Sequence, residues 1–137
     1  MHMLGEPKTM QKNPSYGNVV QEVASELLST AQELVDAGHD AKHICLDPGI
    51  GFGKTLNHNI ELLKGWNEFR SQHDFSLLWG VSRKSMIGQL TGHVSTDERL
   101  FGTLGVAAFA HQVGIDWLRV HDVQAHADLL RVMQHLD

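Results

Sequence analysis

The amino-acid sequence predicts an α/β fold built around a parallel sheet. Segments whose apolar residues recur at helical spacing alternate with short, nearly all-apolar runs, and the connections between them are of ordinary length. Such an alternation requires right-handed crossovers, which place successive strands parallel to one another. The chain has 137 residues, the size of one domain, and we predict a single domain over residues 1–137.

The first elements follow from the N-terminal half of the chain. A helix is predicted to end at Gly38, and the run His43–Leu46 is predicted to be a buried strand that ends at Asp47-Pro48-Gly49. A second helix is predicted to begin near Asn57 and to continue to Phe69. The apolar positions that mark the first helix are Val19, Val20, Val23, Leu27, Leu28, Ala31, Leu34 and Val35.

The remaining elements continue the alternation. Phe75–Val81 ("FSLLWGV") is predicted to be a strand covered on both faces, and "RKSMIGQL" a short helical turn. Asp97–Val113 is predicted to be a longer, alanine-rich buried helix, "IDWLRV" the third strand and residues 124–135 the last helix. The predicted order is therefore helix, strand, helix, strand, helix, strand, helix.

Composition and charge exclude several classes of function. Hydrophobic residues make up 42% of the chain and charged residues 20%, which favours a packed core over disorder. The net charge of -5 argues against a nucleic-acid surface, and no run of like charge indicates a membrane patch. No apolar stretch has the length of a membrane span, and the first residues lack the pattern of a signal peptide, so we predict a cytoplasmic protein.

The lone cysteine agrees with a reducing compartment. Cys45 has no second cysteine with which to form an internal disulfide. Because the apolar residues Ile44 and Leu46 flank it, we predict a small buried side chain and not a nucleophile.

Polar residues follow each of the three predicted strands. Asp47 follows the first, Ser82-Arg83-Lys84-Ser85 follows the second, and Arg119 and His121 lie at the third. Because ligands bind at the carboxyl ends of the strands in parallel sheets, we predict that an acid, several cations, a hydroxyl and an imidazole share one binding site.

The loop "DPGIGFGKT", residues 47–55, has two interpretations. Gly53, Lys54 and Thr55 match the end of the nucleotide-binding P-loop, but Pro48 stands where that motif requires its first glycine. The loop is also predicted to continue through Leu56 and not to enter a helix directly, which disfavours a nucleotide hydrolase. The alternative is an intact loop for a different ligand.

Each residue of this loop also has a structural alternative. Asp47 either meets ligand donors or caps the following turn. Gly49, Gly51 and Gly53 are predicted to let the backbone approach a flat ligand. Phe52 either stacks on a ligand ring or only packs over the ends of the strands, and Lys54 is interpreted as a solvated cation.

The two later motifs favour an anionic or carbonyl-bearing ligand. Lys84 suits a ligand carbonyl or ring nitrogen, and Ser85 is predicted at a helix start, where an anion is favoured. The alternative is a solvated basic turn with a serine cap. In "RVHD", the period of two puts Arg119 and His121 on one side of the strand, where they suit a phosphate or diphosphate.

The remaining histidines do not predict a metal site. His39 and His43 are four residues apart, but the break near Gly38 removes a common helical face. The other histidines are interpreted as surface or packing residues, and no Ser/His/Asp triad is apparent: His58, His73, His93, His111, His126 and His135.

The segments "LDPGIGFGK", "VSRKSMIGQL" and "RVHDV", in this order and spacing, resemble the dihydropteroate synthase family of the bacterial folate pathway. The opening "MHMLGEPKTMQ" is similar to that family's strand-five motif and the following loop. The resemblance implies a (β/α)8 TIM barrel, of which the chain would cover about strand five to helix eight, the C-terminal half of a pterin-binding domain.

The resemblance also implies roles for individual residues. Asp47 would accept hydrogen bonds from the donor edge of the pterin, Lys84 would contact its carbonyl side, and Met1 would pack against its ring. Arg119 would lie over the pterin face and, with His121, hold the diphosphate leaving group.

The second substrate, p-aminobenzoate, would be bound by the two loops that follow the first two strands. Phe52 and the adjacent Gly51 would border its pocket, and Ser85 with the helix start would bind its carboxylate. The implied reaction joins 6-hydroxymethyl-7,8-dihydropterin diphosphate to p-aminobenzoate with release of diphosphate, through carbon–oxygen cleavage before the amine attacks. The family further implies Mg²⁺, bound by a residue outside this half, and a homodimer formed through the late helices.

The length departs from the family's pattern. A barrel of this type needs about 250 residues, so we predict that this chain is part of a longer synthase, cannot close a barrel, has little activity alone and tends to self-associate. The rival interpretation is a non-catalytic pterin- or folate-binding module related to methyltetrahydrofolate-binding barrels. The "SRKS" turn favours the synthase, because Ser85 would serve p-aminobenzoate.

Overall fold

A computed structural model describes residues 1–70 and 75–136 of the chain. The elements alternate as predicted, and the short helical turn predicted at "RKSMIGQL" is a seven-residue helix. Chain contacts divide the molecule into two compact units, Met1–Leu78 and Trp79–Asp137. The helices and strands of the described residues are α1 (Val19–Asp36), β1 (Cys45–Leu46), α2 (Leu56–Lys64), β2 (Ser76–Trp79), α3 (Ser85–Thr91), α4 (Leu100–Gln112), β3 (Trp117–Leu118) and α5 (Val123–Met133).

In the first unit, α1 covers the core with one apolar face. Its N-cap Asn18 accepts a hydrogen bond from the backbone N–H of Gln21 at 3.1 Å. The helix ends before Gly38, as predicted, and Gly38 has a φ of +96°, a conformation that favours glycine. The buried face packs against α2 and the 3-10 turn Trp66–Phe69, and it comprises Val19, Val23, Ala24, Leu27 and Ala31.

Strands β1 and β2 are parallel, as predicted. Cys45 is in register with Ser76 and Leu46 with Leu77. Because side chains alternate across a strand, Leu46 and Leu77 lie on one buried face, and Cys45 lies on the other face and is exposed. The prediction of a buried Cys45 is therefore wrong. The expectation that β2 is covered on both faces is wrong as well, because Ser76 is only half-buried.

The first strand is also shorter than predicted. Residues Ala41–His43 form a 3-10 turn, in which the side chain of Asp40 accepts from the N–H of Lys42 at 3.0 Å. His43, the first residue of the predicted strand His43–Leu46, belongs to this turn, and the strand itself begins at Cys45. The second helix begins at Leu56, one residue before the predicted start, and a 3-10 turn replaces its expected end.

In the second unit, β3 pairs with the last residue of β2. The N–H of Arg119 donates to the carbonyl of Trp79 at 3.0 Å, and the strand order in the described residues is β1-β2-β3. Trp79 is buried and stacks on Phe109 of α4, with ring centroids 6.0 Å apart. Helix α4 also packs against α3 and α5.

Helix α4 is less buried than predicted. Thr103, Ala107 and Ala110 are buried, but the side chain of Phe101 is 82% exposed. The helix carries apolar side chains around its whole circumference, but its buried residues Thr103, Ala107 and Ala110 recur at a spacing that places them on one face. The alanine-rich composition therefore predicted the helix correctly and its burial incorrectly.

No helix in residues 1–70 or 75–136 is long and apolar enough to cross a membrane.

Candidate functional site

Asp47 directly follows β1 and is half-buried. Its Oδ1 accepts a hydrogen bond from the N–H of Gly49 at 2.7 Å, and its carbonyl accepts from the N–H of His2 at 3.0 Å. The turn-capping alternative is therefore correct for one carboxylate oxygen. Within the described residues Oδ2 makes no hydrogen bond, so Asp47 caps its turn and still keeps one acceptor for a ligand.

The glycines of the loop fit the chain's own N-terminal segment. Gly49 has a φ of +68°, and a Cβ there would lie 1.8 Å from the carbonyl oxygen of His2. Gly53 has a φ of +64°, and its Cβ would lie 2.5 Å from the carbonyl oxygen of Leu4. The close approach that was predicted for a flat ligand is thus made by residues 2–4 at these two positions.

Gly51 is also held from within the chain. Its N–H donates to Asn59 Oδ1 at 2.8 Å, and its carbonyl accepts from the side-chain amide of Gln11. Its neighbour Phe52 is half-buried, and Met1 is 58% exposed. The substrate contacts of these residues stay predictions.

Lys54 is buried, with 4% exposure, so its interpretation as a solvated cation is wrong. Its ammonium group donates to the carbonyl of Phe52 at 3.0 Å and lies 2.9 Å from His2 Nδ1. Since an ammonium group can only donate, His2 Nδ1 is the acceptor and Nε2 carries the hydrogen, 3.5 Å from Glu26. Burial, and then the positive charge of Lys54, lower the pKa of His2 below its usual value of 6.5.

The loop leads directly into α2, contrary to prediction. Thr55 caps the helix: its Oγ1 accepts from the N–H of His58, and its own N–H donates to His58 Nδ1. Connectivity therefore does not exclude a P-loop. The inward ammonium of Lys54 does, because that group is bonded to Phe52 and His2 and not turned toward a phosphate.

Tyr16 is a residue of this region that the sequence did not single out. Its hydroxyl donates to the carbonyl of Gly53 at 3.0 Å, and its ring meets His58 edge-on at 5.0 Å. Burial, and then two nearby glutamates, raise the pKa of Tyr16 to about 12. Tyr16 thus stays a hydrogen-bond donor at neutral pH and holds the loop.

In the second unit, a tight turn follows β2 and leads into α3. Arg83 has a φ of +58°, uncommon for a residue with a side chain. The turn is fixed by Thr103, whose Oγ1 accepts from the N–H of Arg83, and by Arg99, which donates to the carbonyl of Arg83 at 2.9 Å. Helix α3 begins at Ser85, as predicted, but its N-cap residue is Lys84, so the serine-cap alternative is wrong.

The Arg83 side chain ties this turn to the segment after β3. Its Nη2 lies 2.6 Å from Asp122 Oδ1 and its Nε lies 3.0 Å from Asp122 Oδ2, a bidentate pair. Its Nη1 donates to Asp97 at 3.0 Å. The hydrogen bond from Arg83 holds the pKa of Asp122 below its usual value of 3.8. The motifs "SRKS" and "RVHD" contain both partners, but nothing in the sequence pairs them.

Arg119 and His121 are both exposed just beyond β3, whereas Val120 between them is half-buried. The guanidinium of Arg119 lies close to Gly80, where a Cβ would be 2.7 Å from Arg119 Nη2. Ser82 Oγ accepts from the N–H of His121 at 3.2 Å and lies 3.0 Å from His121 Nδ1. Strand β3 is shorter than predicted, but the predicted alternation of its side chains continues through His121.

The second unit thus brings Ser82, Arg83, Arg119 and His121 together at the end of β2 and β3. Lys84 and Ser85 continue the same turn, with Lys84 half-buried and Ser85 exposed. The predicted meeting of these residues with Asp47 stays a prediction.

Within residues 1–70 and 75–136, no group of three or more His, Cys, Asp or Glu side chains is arranged to hold a metal ion. His58 serves in the cap of α2, and His126 is buried with its Nδ1 2.8 Å from the carbonyl of Asp122. Both agree with the predicted packing role, whereas His73 lies outside the described residues.

Known proteins similar to this chain carry a consistent function. A dihydropteroate synthase from Neisseria meningitidis serogroup B is 48% identical over 138 residues, covering 99% of this chain and 48% of the relative. The dihydropteroate synthase of Thermus thermophilus in complex with 4-aminobenzoate matches with a TM-score of 0.90 and 39% identity, over 98% of this chain and 54% of that one. That of Burkholderia cenocepacia complexed with 7,8-dihydropteroate has a TM-score of 0.88 and 41% identity, over 98% and 50%.

The predicted resemblance is therefore confirmed, and the chain spans about half the length of the curated relatives it matches. A sequence model described as "Pterin binding enzyme" matches residues 1–121. The chain belongs to the pterin binding enzyme family.

Proposed function

We propose that this chain is the C-terminal half of a dihydropteroate synthase, a partial barrel from about strand five to helix eight. The observation that carries the proposal is the 48% identity to a dihydropteroate synthase over 99% of this chain. The reaction joins 6-hydroxymethyl-7,8-dihydropterin diphosphate to p-aminobenzoate and releases diphosphate. Neighbouring structures in complex with 4-aminobenzoate and 7,8-dihydropteroate support the choice of substrates.

Asp47 and Lys84 bind the pterin in this proposal. The Oδ2 of Asp47 makes no hydrogen bond in the described residues, so it is available to accept from the N–H groups of the pterin edge. Lys84, at the N-cap of α3, donates to the pterin carbonyl, and the exposed Met1 packs on the ring.

Arg119 and His121 bind the diphosphate leaving group, and Arg119 also lies over the pterin face. Both side chains are exposed at the end of β3, and each offers N–H donors to an anion. If the carbon–oxygen bond breaks before the amine attacks, negative charge develops on the leaving diphosphate. Fixed N–H donors lower the energy of that charge, and no strong base is required.

Ser85, Phe52 and Gly51 form the p-aminobenzoate side of the site. Ser85 is exposed as the first residue of α3 and binds the carboxylate through its hydroxyl and the helix start. Because α3 has only seven residues, we assign the larger share to the hydroxyl and not to a helix dipole. The half-buried Phe52 supplies an apolar wall for the ring.

The family resemblance also brings Mg²⁺ into the proposal. The acidic and imidazole side chains of the described residues do not form a metal site by themselves. In this proposal the arginine and histidine donors stabilise the leaving diphosphate, and the protein ligand of Mg²⁺ belongs to the other half, as the family resemblance implies.

We further propose a cytoplasmic homodimer that contacts neither nucleic acid nor membrane. The net charge of -5 and the lone cysteine support the cellular part of this proposal. Exposed apolar side chains on the late helices support the dimer: Phe101, Val123 and Val132.

A turnover assay on the purified chain with both substrates tests the proposal for the isolated half. We expect no diphosphate release above background, because a partial barrel lacks the remaining substrate contacts. Release at a rate typical of an enzyme would refute the proposed inactivity. Activity restored by adding a separately expressed N-terminal half of a relative, and lost again in Arg119→Ala, would support the proposed role. Arg131→Ala, an exposed arginine on α5, is the matched control.

Binding experiments separate the synthase from the folate-binding module. A sulfonamide mimics p-aminobenzoate, so the reconstituted synthase should bind it in a manner that depends on Ser85. Binding of folates without binding of a sulfonamide would favour the module.

A further inference from the structure

Ser82 is a buried polar residue to which neither the predicted site nor the proposed function assigns a role. It is 5% exposed and lies two residues before Lys84, in the turn that follows β2. Its Oγ accepts the backbone N–H of His121 at 3.2 Å and lies 3.0 Å from Nδ1 of the same histidine. One hydroxyl group therefore contacts His121 twice.

These two contacts determine which nitrogen of the imidazole carries the hydrogen. The Ser82 oxygen already accepts from the N–H of His121, and a buried hydroxyl hydrogen without an acceptor is costly. Within the described residues, the acceptor in reach of that hydrogen is His121 Nδ1. The neutral ring therefore accepts at Nδ1 and carries its own hydrogen at Nε2.

We propose that Ser82 is a positioning residue that holds His121 in the Nε2–H tautomer, so that the exposed histidine presents an N–H donor to the diphosphate. The opposite tautomer would turn the lone pair of Nε2 toward the anion and repel it. The backbone contact from His121 to Ser82 also fixes the position from which the ring extends. The diphosphate part of this inference rests on the proposed function, whereas the tautomer does not.

Nitrogen-15 NMR of the histidines in the 137-residue chain tests the tautomer without any substrate. The signals of His121 are identified as those that disappear in His121→Asn. Spectra are recorded at a pH high enough that these signals no longer change with pH, so that the neutral ring is observed. We expect a hydrogen-bearing Nε2 and an accepting Nδ1 in the wild type, a mixture of tautomers in Ser82→Ala, and the wild-type pattern in Ser82→Thr. Ser29→Ala, an exposed serine of α1, is the control. A hydrogen-bearing Nδ1 in the wild type, or an unchanged pattern in Ser82→Ala, would overturn the inference.

Titration with inorganic diphosphate tests the consequence for binding. Loss of one oriented donor should weaken binding by about 3- to 10-fold in Ser82→Ala, and Ser82→Thr should restore it. Wild-type affinity in Ser82→Ala would overturn the functional half of the inference. Wild-type affinity in His121→Ala would instead overturn the proposed diphosphate role of His121, and the NMR result for Ser82 would still stand on its own.

Discussion

Two loops of this chain use their polar groups in opposite ways. In the loop Asp47–Thr55 the most conspicuous residues turn inward: Lys54 is buried against His2, and Gly49 is covered by the N-terminal segment. In the second unit, the segment that follows β3 leaves Arg119 and His121 exposed. The first loop resembles a phosphate-binding motif, but the groups that we propose to bind the anion belong to the second region.

The difference shows that a sequence motif does not determine whether its residues contact a ligand or another part of the same chain. Glycines and a lysine suit a phosphate, but they also suit a loop packed under another part of the same chain, because both need close backbone approach and a donor. The donors that remain for a ligand are those that internal contacts have not used. In the second unit, the guanidinium of Arg83 is paired with Asp122. The guanidinium of Arg119 makes no hydrogen bond in the described part of the chain.

The largest expected effect tests the inward packing of the first loop. Gly49→Ala would place a Cβ 1.8 Å from the carbonyl oxygen of His2 and would strain a φ of +68°. Since both obstacles are backbone, we expect the free energy of unfolding to fall by about 3 kcal/mol or more. Urea unfolding followed by circular dichroism measures it.

Gly38→Ala is the matched control, because Gly38 also has a positive φ, +96°, but the added Cβ would meet no heavy atom of the described residues within 4 Å, its chain neighbours apart. It should lose only about 1 kcal/mol, the cost of the left-handed backbone. Equal losses in the two variants would mean that the N-terminal segment does not cover the loop.

Lys54→Met should produce the next largest effect. Methionine has a similar length but cannot donate, so the carbonyl of Phe52 and His2 Nδ1 lose the donated hydrogen bond of Lys54. We expect a loss of about 2 kcal/mol of stability, measured by urea unfolding. The same substitution at the exposed Lys42 should change little. If both lysines tolerate methionine equally, the loop cation is not a structural donor.

The order of elements was predictable because it depends on local spacing, whereas the contacts that build the site join distant residues. The apolar residues of α1 recur every three or four positions, and Gly38 follows the C-cap residue of the helix, so both signals join residues that are close in sequence. In contrast, Lys54 and His2 are 52 residues apart, and Arg83 and Asp122 are 39 apart. The exposure of Cys45 also depends on how β1 pairs with β2, which cannot be read from the neighbouring residues alone.

A substitution at Gly80, a glycine of the second unit, should affect ligand binding and not stability, in contrast to one at Gly49. A Cβ in Gly80→Ala would lie 2.7 Å from Arg119 Nη2, the mobile end of a side chain that can move aside. We expect unchanged unfolding, but affinity for inorganic diphosphate reduced by about 10-fold, because the guanidinium is displaced. Gly105→Ala is the control, because in the described part of the chain its added Cβ would meet no heavy atom within 4 Å beyond its own helix backbone. A strong loss of stability in Gly80→Ala would remove the contrast with Gly49.

The smallest expected effect is a dependence of stability on pH that arises from His2. Burial and the adjacent Lys54 lower its pKa in the folded state below the ordinary value of 6.5. The unfolded chain therefore binds more protons in the window just below 6.5, so the contribution of neutral His2 is complete above that pH and is lost as the pH falls through the folded pKa. In His2→Asn the amide oxygen can still accept from Lys54, and nothing titrates there. Urea unfolding at several pH values should show a shallower decline for His2→Asn than for the wild type, and a wild-type decline for His39→Asn, an exposed histidine of the same unit. Identical slopes in the wild type and His2→Asn would mean that burial and the charge of Lys54 do not keep His2 neutral in the folded state.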